Sequence, residues 1–288
     1  MSLGHTVLIL FVIIIWGFNF VVAKTGLEVF PPLFMMALRF GIVALALVWF
    51  APRPKGMWKQ IAILSVTMGS LHFSLMFIGL TKVAASIAAI AIQLQVPIAA
   101  ILAAVLFKDY FGWRRGLGMA LAFAGIVVVA GAPTVRTDLV YLLMVIGASA
   151  VWAVANIQIK RLKRIDGLAL NAWISLLAAP QLLLASLVLE EGQIAALTNA
   201  GWLEWAAIAY MSVIVTVIGY GVWYYMIGKY ATNQTMPFTL LVPFVGVLSG
   251  VAVLGEPLSW TIAIGGVATL GGVAIIVLRR PKFGGPEV

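Results

Sequence analysis

The stretch GHTVLILFVIIIWGFNFVVA, residues 4–23, contains no Lys, Arg, Asp or Glu and is almost entirely apolar. About 20 such residues in a helix cross the roughly 30 Å hydrocarbon layer of a membrane. Nine further runs of this kind follow: 31–50, 60–80, 83–107, 113–132, 138–159, 168–189, 202–227, 231–254 and 258–278. The runs are continuous and do not alternate in polarity, which predicts helices rather than barrel strands. We therefore expect an all-α integral membrane protein with ten transmembrane helices.

The composition supports a membrane protein and excludes several kinds of site. Of the 288 residues, 64% are hydrophobic and 9% are charged, which leaves almost no chain for a soluble domain. The sequence has no cysteine, so disulfides, thiol chemistry and metal sites built on cysteine are excluded. No segment matches a nucleotide-binding loop, a zinc-binding motif or a nucleophile elbow. We therefore expect no cofactor, no metal ion and no enzymatic activity.

Lysine and arginine are distributed unevenly between alternate loops. If the chain starts in the cytoplasm, three of them face the opposite side: Lys24, Lys82 and Arg136. Fourteen face the cytoplasm: Arg53, Lys55, Lys59, Lys108, Arg114, Arg115, Lys160, Arg161, Lys163, Arg164, Lys229, Arg279, Arg280 and Lys282. This positive-inside bias predicts that both termini are cytoplasmic. The net charge of +9 is then an orientation signal and an attraction to anionic lipid, and we expect no nucleic-acid partner.

The two halves of the chain resemble each other. Residues 79–129 align with residues 226–277 at a spacing of 147, or 146 for the prolines, and the matched pairs are Lys82 with Lys229, Pro97 with Pro243, Asp109 with Glu256, Trp113 with Trp260, Gly118 with Gly265 and Gly125 with Gly272. The starts of the halves match more weakly, Trp16 and Asn19 with Trp152 and Asn156. We predict two five-helix repeats, 1–133 and 134–288. Because five is odd, the second repeat is inverted in the membrane, as is common among secondary transporters.

Several motifs resemble the EamA branch of the drug/metabolite transporter superfamily. They are Trp16-Gly17-Phe18-Asn19-Phe20, Arg39-Phe40, Gly255-Glu256-Pro257-Leu258 and the glycine pairs of the last span. The resemblance covers essentially the whole chain, and the pattern of five plus five helices is its most specific part. The first half departs from the family pattern, because Lys108-Asp109 stands where an acidic residue often follows glycine. Within the branch the chain looks most like amino-acid exporters, including those for aromatic amino acids.

The resemblance implies a secondary transporter in the bacterial cytoplasmic membrane, a monomer or a weak homo-oligomer. It would export small metabolites, most plausibly neutral amino acids with apolar or aromatic side chains, by alternating access around a central cavity. Proton antiporters usually use an acidic residue within the membrane, and all nine Asp and Glu residues lie at span ends or in loops. Transport without obligatory proton coupling is therefore favoured. The alternative is a proton-coupled efflux transporter of the same fold for drugs or other metabolites.

Polar and aromatic side chains inside the spans are the candidates for substrate binding, because a polar side chain that faces lipid is costly. The candidates are Trp16, Asn19, His72, Ser86, Gln93, Trp152, Asn156, Tyr220, Tyr224 and Thr239. Together they could offer a zwitterion hydrogen-bonding groups and aromatic faces. A structural interpretation stays open as well, with asparagines that bond neighbouring helices, a satisfied histidine and tyrosines that only pack. Gln95 is two residues from Gln93 and is expected to point elsewhere.

Two prolines and one arginine complete the set of unusual residues within the spans. Pro97 and Pro243 each remove an amide donor in mid-helix, which predicts kinks that serve either as hinges or as static packing. Arg39 lies near the centre of its span, too deep to reach the interface easily. We expect carbonyl or amide partners for it, such as Asn19. The sharper hypothesis is that Arg39 binds a carboxylate of the substrate.

Overall fold

The computed structural model describes residues 2–107, 112–132, 138–162, 166–230 and 232–278. Ten helical segments within these ranges are numbered in chain order: α1 (Leu3–Leu27), α2 (Pro32–Leu47), α3 (Trp58–Lys82), α4 (Ala85–Leu106), α5 (Trp113–Ala130), α6 (Leu139–Lys160), α7 (Gly167–Leu189), α8 (Trp202–Lys229), α9 (Met236–Leu254) and α10 (Trp260–Leu278). Two short helices, Gln193–Asn199 and Thr232–Thr235, precede α8 and α9.

Each of the ten predicted spans coincides with one of these helices. Within the described ranges, nine helices are long and apolar enough to cross a membrane, and α2 is apolar but shorter, with 16 residues. The prediction of an all-α membrane protein is therefore confirmed. The orientation of the termini and the division into two repeats stay predictions. Lys108 and Asp109, which distinguish the first half from the family pattern, lie outside the described residues.

Four helices contain an irregular segment, and these fall at corresponding places in the two halves. In α3 the residues Ser65–His72 form a π-helix, and in α8 the residues Tyr210–Gly219 do so. In α4 the residues Ile92–Leu94 form a 3₁₀ turn, and α9 begins with the 3₁₀ segment Met236–Leu241. Such segments change the direction of the side chains relative to a regular α-helix. The contacts that these helices make therefore differ from those that a regular helix would give.

The helices pack in pairs that are repeated between the halves. In the first half α1 packs against α8 and α9, and in the second half α6 packs against α3 and α4. The other close pairs are α2 with α7 and α5 with α10. Glycines allow the last pair to approach closely: a Cβ added to Gly118 would lie 2.8 Å from the carbonyl oxygen of Gly272. The pair α5 and α10 is thus a scaffold for the bundle.

The two predicted kink prolines are buried, and each follows a 3₁₀ segment. Pro97 is the third residue after the turn Ile92–Leu94, and Pro243 is the second residue of the α-helix Val242–Leu254. Proline removes an amide donor and crowds the preceding turn, so the regular α-helical hydrogen-bonding pattern is interrupted just before it. A third proline, Pro237, lies within the 3₁₀ segment of α9. The interruptions agree with the predicted kinks. That the two prolines act as hinges stays a prediction.

Candidate substrate-binding site

The guanidinium of Arg39 lies in the interior of the bundle, with the residue only 2% exposed. Its Nη2 donates a hydrogen bond to Oγ1 of Thr216 at 3.2 Å, and its Nε has no hydrogen-bond partner among the described residues. The Phe73 ring lies 5.0 Å from the guanidinium carbon and the Phe40 ring 5.8 Å. Within the described ranges Arg39 forms no ion pair. The expectation of Asn19 as its partner is wrong, because the hydroxyl of Thr216 on α8 takes that place.

The π-helical segment of α8 determines how Thr216 meets Arg39. The Thr216 hydroxyl donates to the carbonyl oxygen of Met211, five residues earlier, at 2.9 Å, so its lone pairs remain available to accept from the guanidinium. The Ser212 hydroxyl, one turn before Thr216, donates to the carbonyl oxygen of Ile208 at 2.7 Å and lies 3.3 Å from the backbone carbonyl oxygen of Arg39. Sequence reasoning missed both residues. The available signal was two hydroxyl side chains one turn apart in an apolar span.

Aromatic rings form a wall beside Arg39. The Trp16 ring lies 5.0 Å from the Tyr220 ring and 5.4 Å from the Trp223 ring, measured between centroids. Tyr220 in turn stacks on Tyr224 at 5.9 Å. The hydroxyl of Tyr224 accepts a hydrogen bond of 3.4 Å from the side-chain nitrogen Nδ2 of Asn171 on α7. The structure therefore brings three predicted residues together, and it adds Trp223 and Asn171, which sequence reasoning did not select.

A narrow cavity lies between Arg39, Phe73, Thr216 and Tyr220 on one side and α7 on the other, where Asn171 and Ser175 line it. Its free volume is about 10 Å³. A volume of this size holds about one water molecule. The surrounding side chains must therefore separate before a molecule as large as an amino acid can enter.

His72 and Trp152 lie together next to this cavity. Nδ1 of His72 is 2.9 Å from the carbonyl oxygen of Ala148 on α6. Because a carbonyl oxygen only accepts, Nδ1 carries the proton and Nε2 is the acceptor in the neutral ring. The His72 ring lies 4.7 Å from Trp152 and 4.8 Å from Phe73, the ring that also contacts Arg39. Phe73 thus joins the histidine to the arginine cavity.

Two buried polar atoms on α1 have no hydrogen-bond partner among the described residues: Nε1 of Trp16 and Oδ1 of Asn19. The two residues are three apart, so they share one face of the helix. Unpaired buried polar atoms are rare in folded proteins because each costs free energy. This face of α1 is therefore a candidate for ligand contact.

Asn156 does not form a matched pair with Asn19. Its side chain is exposed, whereas Asn19 is half-buried with a buried carbonyl oxygen. Its exposure follows from the face of α6 on which it lies, because the adjacent Ala155 is buried and Gln158, nearer the helix end, accepts a hydrogen bond from Thr67 on α3. Trp16 and Trp152 have more similar surroundings than the two asparagines, since both tryptophans are half-buried in aromatic clusters.

Two further predicted residues form hydrogen bonds elsewhere. Ser86 is in the first turn of α4, and its backbone N–H donates to Glu256 at 2.9 Å. The Thr239 hydroxyl donates to the carbonyl of Met236 in its own 3₁₀ segment at 2.7 Å. Neither of these contacts joins the arginine cavity.

Gln93 and Gln95 face each other, contrary to the expectation that they diverge. Nε2 of Gln95 lies 3.5 Å from Oε1 of Gln93. Residues two apart are separated by about 160° around an α-helix but by about 120° around a 3₁₀ helix. The 3₁₀ turn Ile92–Leu94 therefore brings the two carboxamides to the same side.

A second cavity, of about 260 Å³, lies at the helix ends that the charge pattern predicts to face away from the cytoplasm. Charged residues from four different helix ends line it: Lys24, Lys82, Asp138 and Glu256. The Glu256 carboxylate accepts hydrogen bonds from the amides of Ala85 at 2.5 Å and Ser86 at 2.9 Å, which are orphan donors at the start of α4. This contact closes the space between α4 and α9 at that end.

The family model of the EamA-like transporter family matches residues 4–131 and, separately, residues 139–278. The chain belongs to the EamA-like transporter family. It is 30% identical over 286 residues to proteins of Salmonella typhimurium and of Escherichia coli, each named a probable amino-acid metabolite efflux pump. Each comparison covers 96% of this chain and 96% of the relative. An uncharacterized transporter of Bacillus subtilis is 27% identical over 288 residues, with 94% of this chain and 93% of the relative covered.

The fold is also found in a solved crystal structure that is 18% identical to the chain. It superposes with a TM-score of 0.64 and covers 96% of this chain and 98% of its own. Family membership confirms the resemblance drawn from the motifs. The protein is thus a multi-pass membrane transporter rather than an enzyme, and its substrate is a small molecule.

Proposed function

We propose that this EamA-family protein exports neutral amino acids with apolar or aromatic side chains across the cytoplasmic membrane. It works by alternating access, with both termini in the cytoplasm. The observation that carries the proposal is the buried guanidinium of Arg39, whose Nε has no partner among the described residues and which lies beside a wall of aromatic rings. An amino acid offers a matching pair of groups, a carboxylate and a side chain.

The electrostatic argument concerns Arg39. Removing a guanidinium from water is costly, and a hydrogen-bonded anion offsets that cost. The hydroxyl of Thr216 supplies one neutral acceptor, and the Phe73 face supplies a weaker attraction. Arginine offers a planar fork of donors that suits a carboxylate. A substrate carboxylate against the Nε edge would therefore supply the missing charge.

The aromatic wall favours a substrate side chain that is large and apolar. Tyr220 and Tyr224 are one turn apart on α8 with ring centroids 5.9 Å apart, and the Trp16 ring on α1 lies 5.0 Å from Tyr220. Aromatic pairs with offset or tilted geometry contribute about 0.5–1.5 kcal/mol beyond burial of area. Two relatives named as probable amino-acid metabolite efflux pumps support the same substrate class.

The distribution of charge favours transport without obligatory proton coupling. None of the nine acidic residues lies in the middle of a span. His72 is the histidine in the middle of a span, and its Nδ1 donates to the carbonyl oxygen of Ala148. The alternative is a proton-coupled exporter of drugs or other metabolites, in which Nε2 of His72 would carry the proton.

Alternating access would use the two halves, residues 1–133 and 134–288, as the moving units. The cavity at Arg39 is too narrow for an amino acid, so opening must separate α2 and α3 of the first half from α7 and α8 of the second, which together line the cavity. The interruptions before Pro97 and Pro243 are the candidate hinges, because the α-helical hydrogen bonds are already broken there.

Uptake into proteoliposomes tests this function. The panel contains phenylalanine, leucine and methionine, together with aspartate, lysine and a lipophilic cation, each with and without an imposed pH gradient. We expect uptake of the first three that exceeds that of protein-free liposomes and does not require the gradient. Transport of the lipophilic cation alone would overturn the substrate class. Strict dependence on the gradient would overturn the uncoupled mechanism.

A further inference from the structure

We infer that Asn19 determines specificity for the zwitterion, by accepting a hydrogen bond from the substrate's ammonium group while Arg39 binds the carboxylate. The inference rests on the proposed function, because it assigns a second polar contact to the same substrate. It uses an observation that the function itself does not need, the carbonyl oxygen of Asn19 that lacks a partner among the described residues.

The carbonyl oxygen of Asn19 has the properties of an acceptor reserved for a ligand. It is buried, and no described residue donates a hydrogen bond to it. If Asn19 only joined α1 to a neighbouring helix, this oxygen would have a donor on that helix. An ammonium group has three donors and no acceptor, so a carbonyl oxygen is the complementary partner.

Asn19 and Arg39 lie at similar depth in consecutive helices. Asn19 is eight residues before the end of α1 at Leu27, and Arg39 is seven residues after the start of α2 at Pro32. At 1.5 Å per residue these positions are about 12 Å and about 10 Å from the same end of the bundle. The short link between the helices keeps those ends together. The two side chains are therefore offset little along the membrane normal, as binding of one small zwitterion requires.

Both residues lie on helices that contact the same part of α8. Tyr210, the first residue of its π-helical segment, donates to the carbonyl of Ile15 on α1 at 3.0 Å. Thr216, near the other end of that segment, accepts from Arg39. Tyr220 follows directly, contacts Trp16 and lines the arginine cavity. The α8 segment thus brings α1 and α2 together around Tyr220.

This arrangement predicts which group of the substrate each side chain binds. The guanidinium of Arg39 binds the carboxylate, the oxygen of Asn19 binds the ammonium, and the rings of Trp16 and Tyr220 contact the side chain. A compound that lacks one charged group leaves one buried polar atom unpaired, which is a strong basis for discrimination.

The test compares three probes in proteoliposomes: phenylalanine, 3-phenylpropionate without the amine, and phenethylamine without the carboxylate. The variants are Asn19→Leu, which removes the acceptor at similar volume, and Asn199→Leu, which makes the same change at an exposed asparagine of the short helix Gln193–Asn199. We expect Asn19→Leu to reduce the preference for phenylalanine over 3-phenylpropionate at least about tenfold and to retain the preference over phenethylamine. Asn199→Leu should keep both preferences.

Asn19→Ser provides a second variant that keeps an acceptor oxygen on a shorter side chain, and an intermediate preference is expected. The inference is overturned if Asn19→Leu or Asn19→Ser slows all three probes equally, or if both keep the wild-type preferences. A wild-type protein that transports no phenylalanine would instead overturn the proposed function, and the inference with it. The two failures are therefore distinguishable.

Discussion

The guanidinium of Arg39 on α2 and the hydroxyl of Thr216 on α8 are joined by a hydrogen bond of 3.2 Å in the interior of the bundle. The contact connects a helix of the first half of the chain to a helix of the second. The hydroxyl of Thr216 also donates to its own helix, and Nε of Arg39 has no partner among the described residues. The same contact therefore both holds the two helices together and orients the proposed substrate anchor.

Replacing Thr216 with valine removes the acceptor without a large change in volume. We expect a loss of about 1–3 kcal/mol in stability, because a buried charged donor loses its partner. The KM for phenylalanine should also rise, since the orientation of Arg39 is no longer fixed. Thermal unfolding in detergent and initial transport rates measure these effects. Thr216→Ser keeps the hydroxyl and is the control; equal behaviour of the two variants would show that the contact has no such role.

The Glu256 carboxylate closes one end of the molecule by accepting from the amides of Ala85 and Ser86. Glu256→Gln removes the charge from this cap, and we expect a loss of about 1–2 kcal/mol in stability. The control Glu191→Gln changes an exposed carboxylate in the same way and should leave the stability almost unchanged. Because the sequence has no cysteine, the substitution Ser86→Cys introduces a single thiol that reports opening directly.

In the Ser86→Cys background, Glu256→Gln should speed the reaction of the introduced thiol with a membrane-impermeant reagent several-fold. Ser86 is only 2% exposed when the cap is intact, so the unmodified cap should keep the reaction slow. An unchanged rate would mean that Glu256 does not hold this end closed.

The contact between α5 and α10 depends on glycine. Gly118→Ala places a Cβ 2.8 Å from the carbonyl oxygen of Gly272, and we expect about 1–3 kcal/mol of destabilisation from overpacking. Gly271→Ala is the matched control, because a Cβ there meets nothing within 4 Å and the substitution favours the helix. Thermal unfolding of both proteins provides the comparison. A Gly118→Ala protein as stable as Gly271→Ala would contradict the close packing.

The prolines after the 3₁₀ segments are expected to affect movement rather than affinity. The double variant Pro97→Ala with Pro243→Ala restores two amide donors and allows more continuous α-helices. Its transport rate should fall several-fold while its Kd for phenylalanine changes little. Rapid uptake measurements and equilibrium binding separate the two quantities. Loss of binding with no independent effect on rate would rule out the hinge function.

The long apolar runs predicted the helices well because the thickness of the membrane determines the length and composition of every span. The run GHTVLILFVIIIWGFNFVVA, for example, coincides with most of α1. The sequence singles out Trp16 and Tyr220 separately as aromatic candidates within the spans, and the structure places their rings in contact.

Individual partners could not be predicted, because they depend on local departures from the α-helix. The π-helical segment of α8 brings Thr216 to Arg39, and the 3₁₀ turn of α4 turns Gln95 toward Gln93. A regular helical wheel places these side chains in other directions. The exposure of Asn156 likewise depends on which face of α6 packs against its neighbours, which sequence similarity between the halves did not reveal.

The central claim is that Arg39 binds the carboxylate of an apolar or aromatic amino acid. Its most direct measurement is calorimetric binding of phenylalanine to purified Arg39→Gln, compared with the wild type and with Lys59→Gln, which removes an exposed positive charge. We expect wild-type affinity for the Lys59 variant and a loss of at least about tenfold for the Arg39 variant, with folding verified by thermal unfolding. A folded Arg39→Gln protein that binds phenylalanine as tightly as the wild type would contradict the claim.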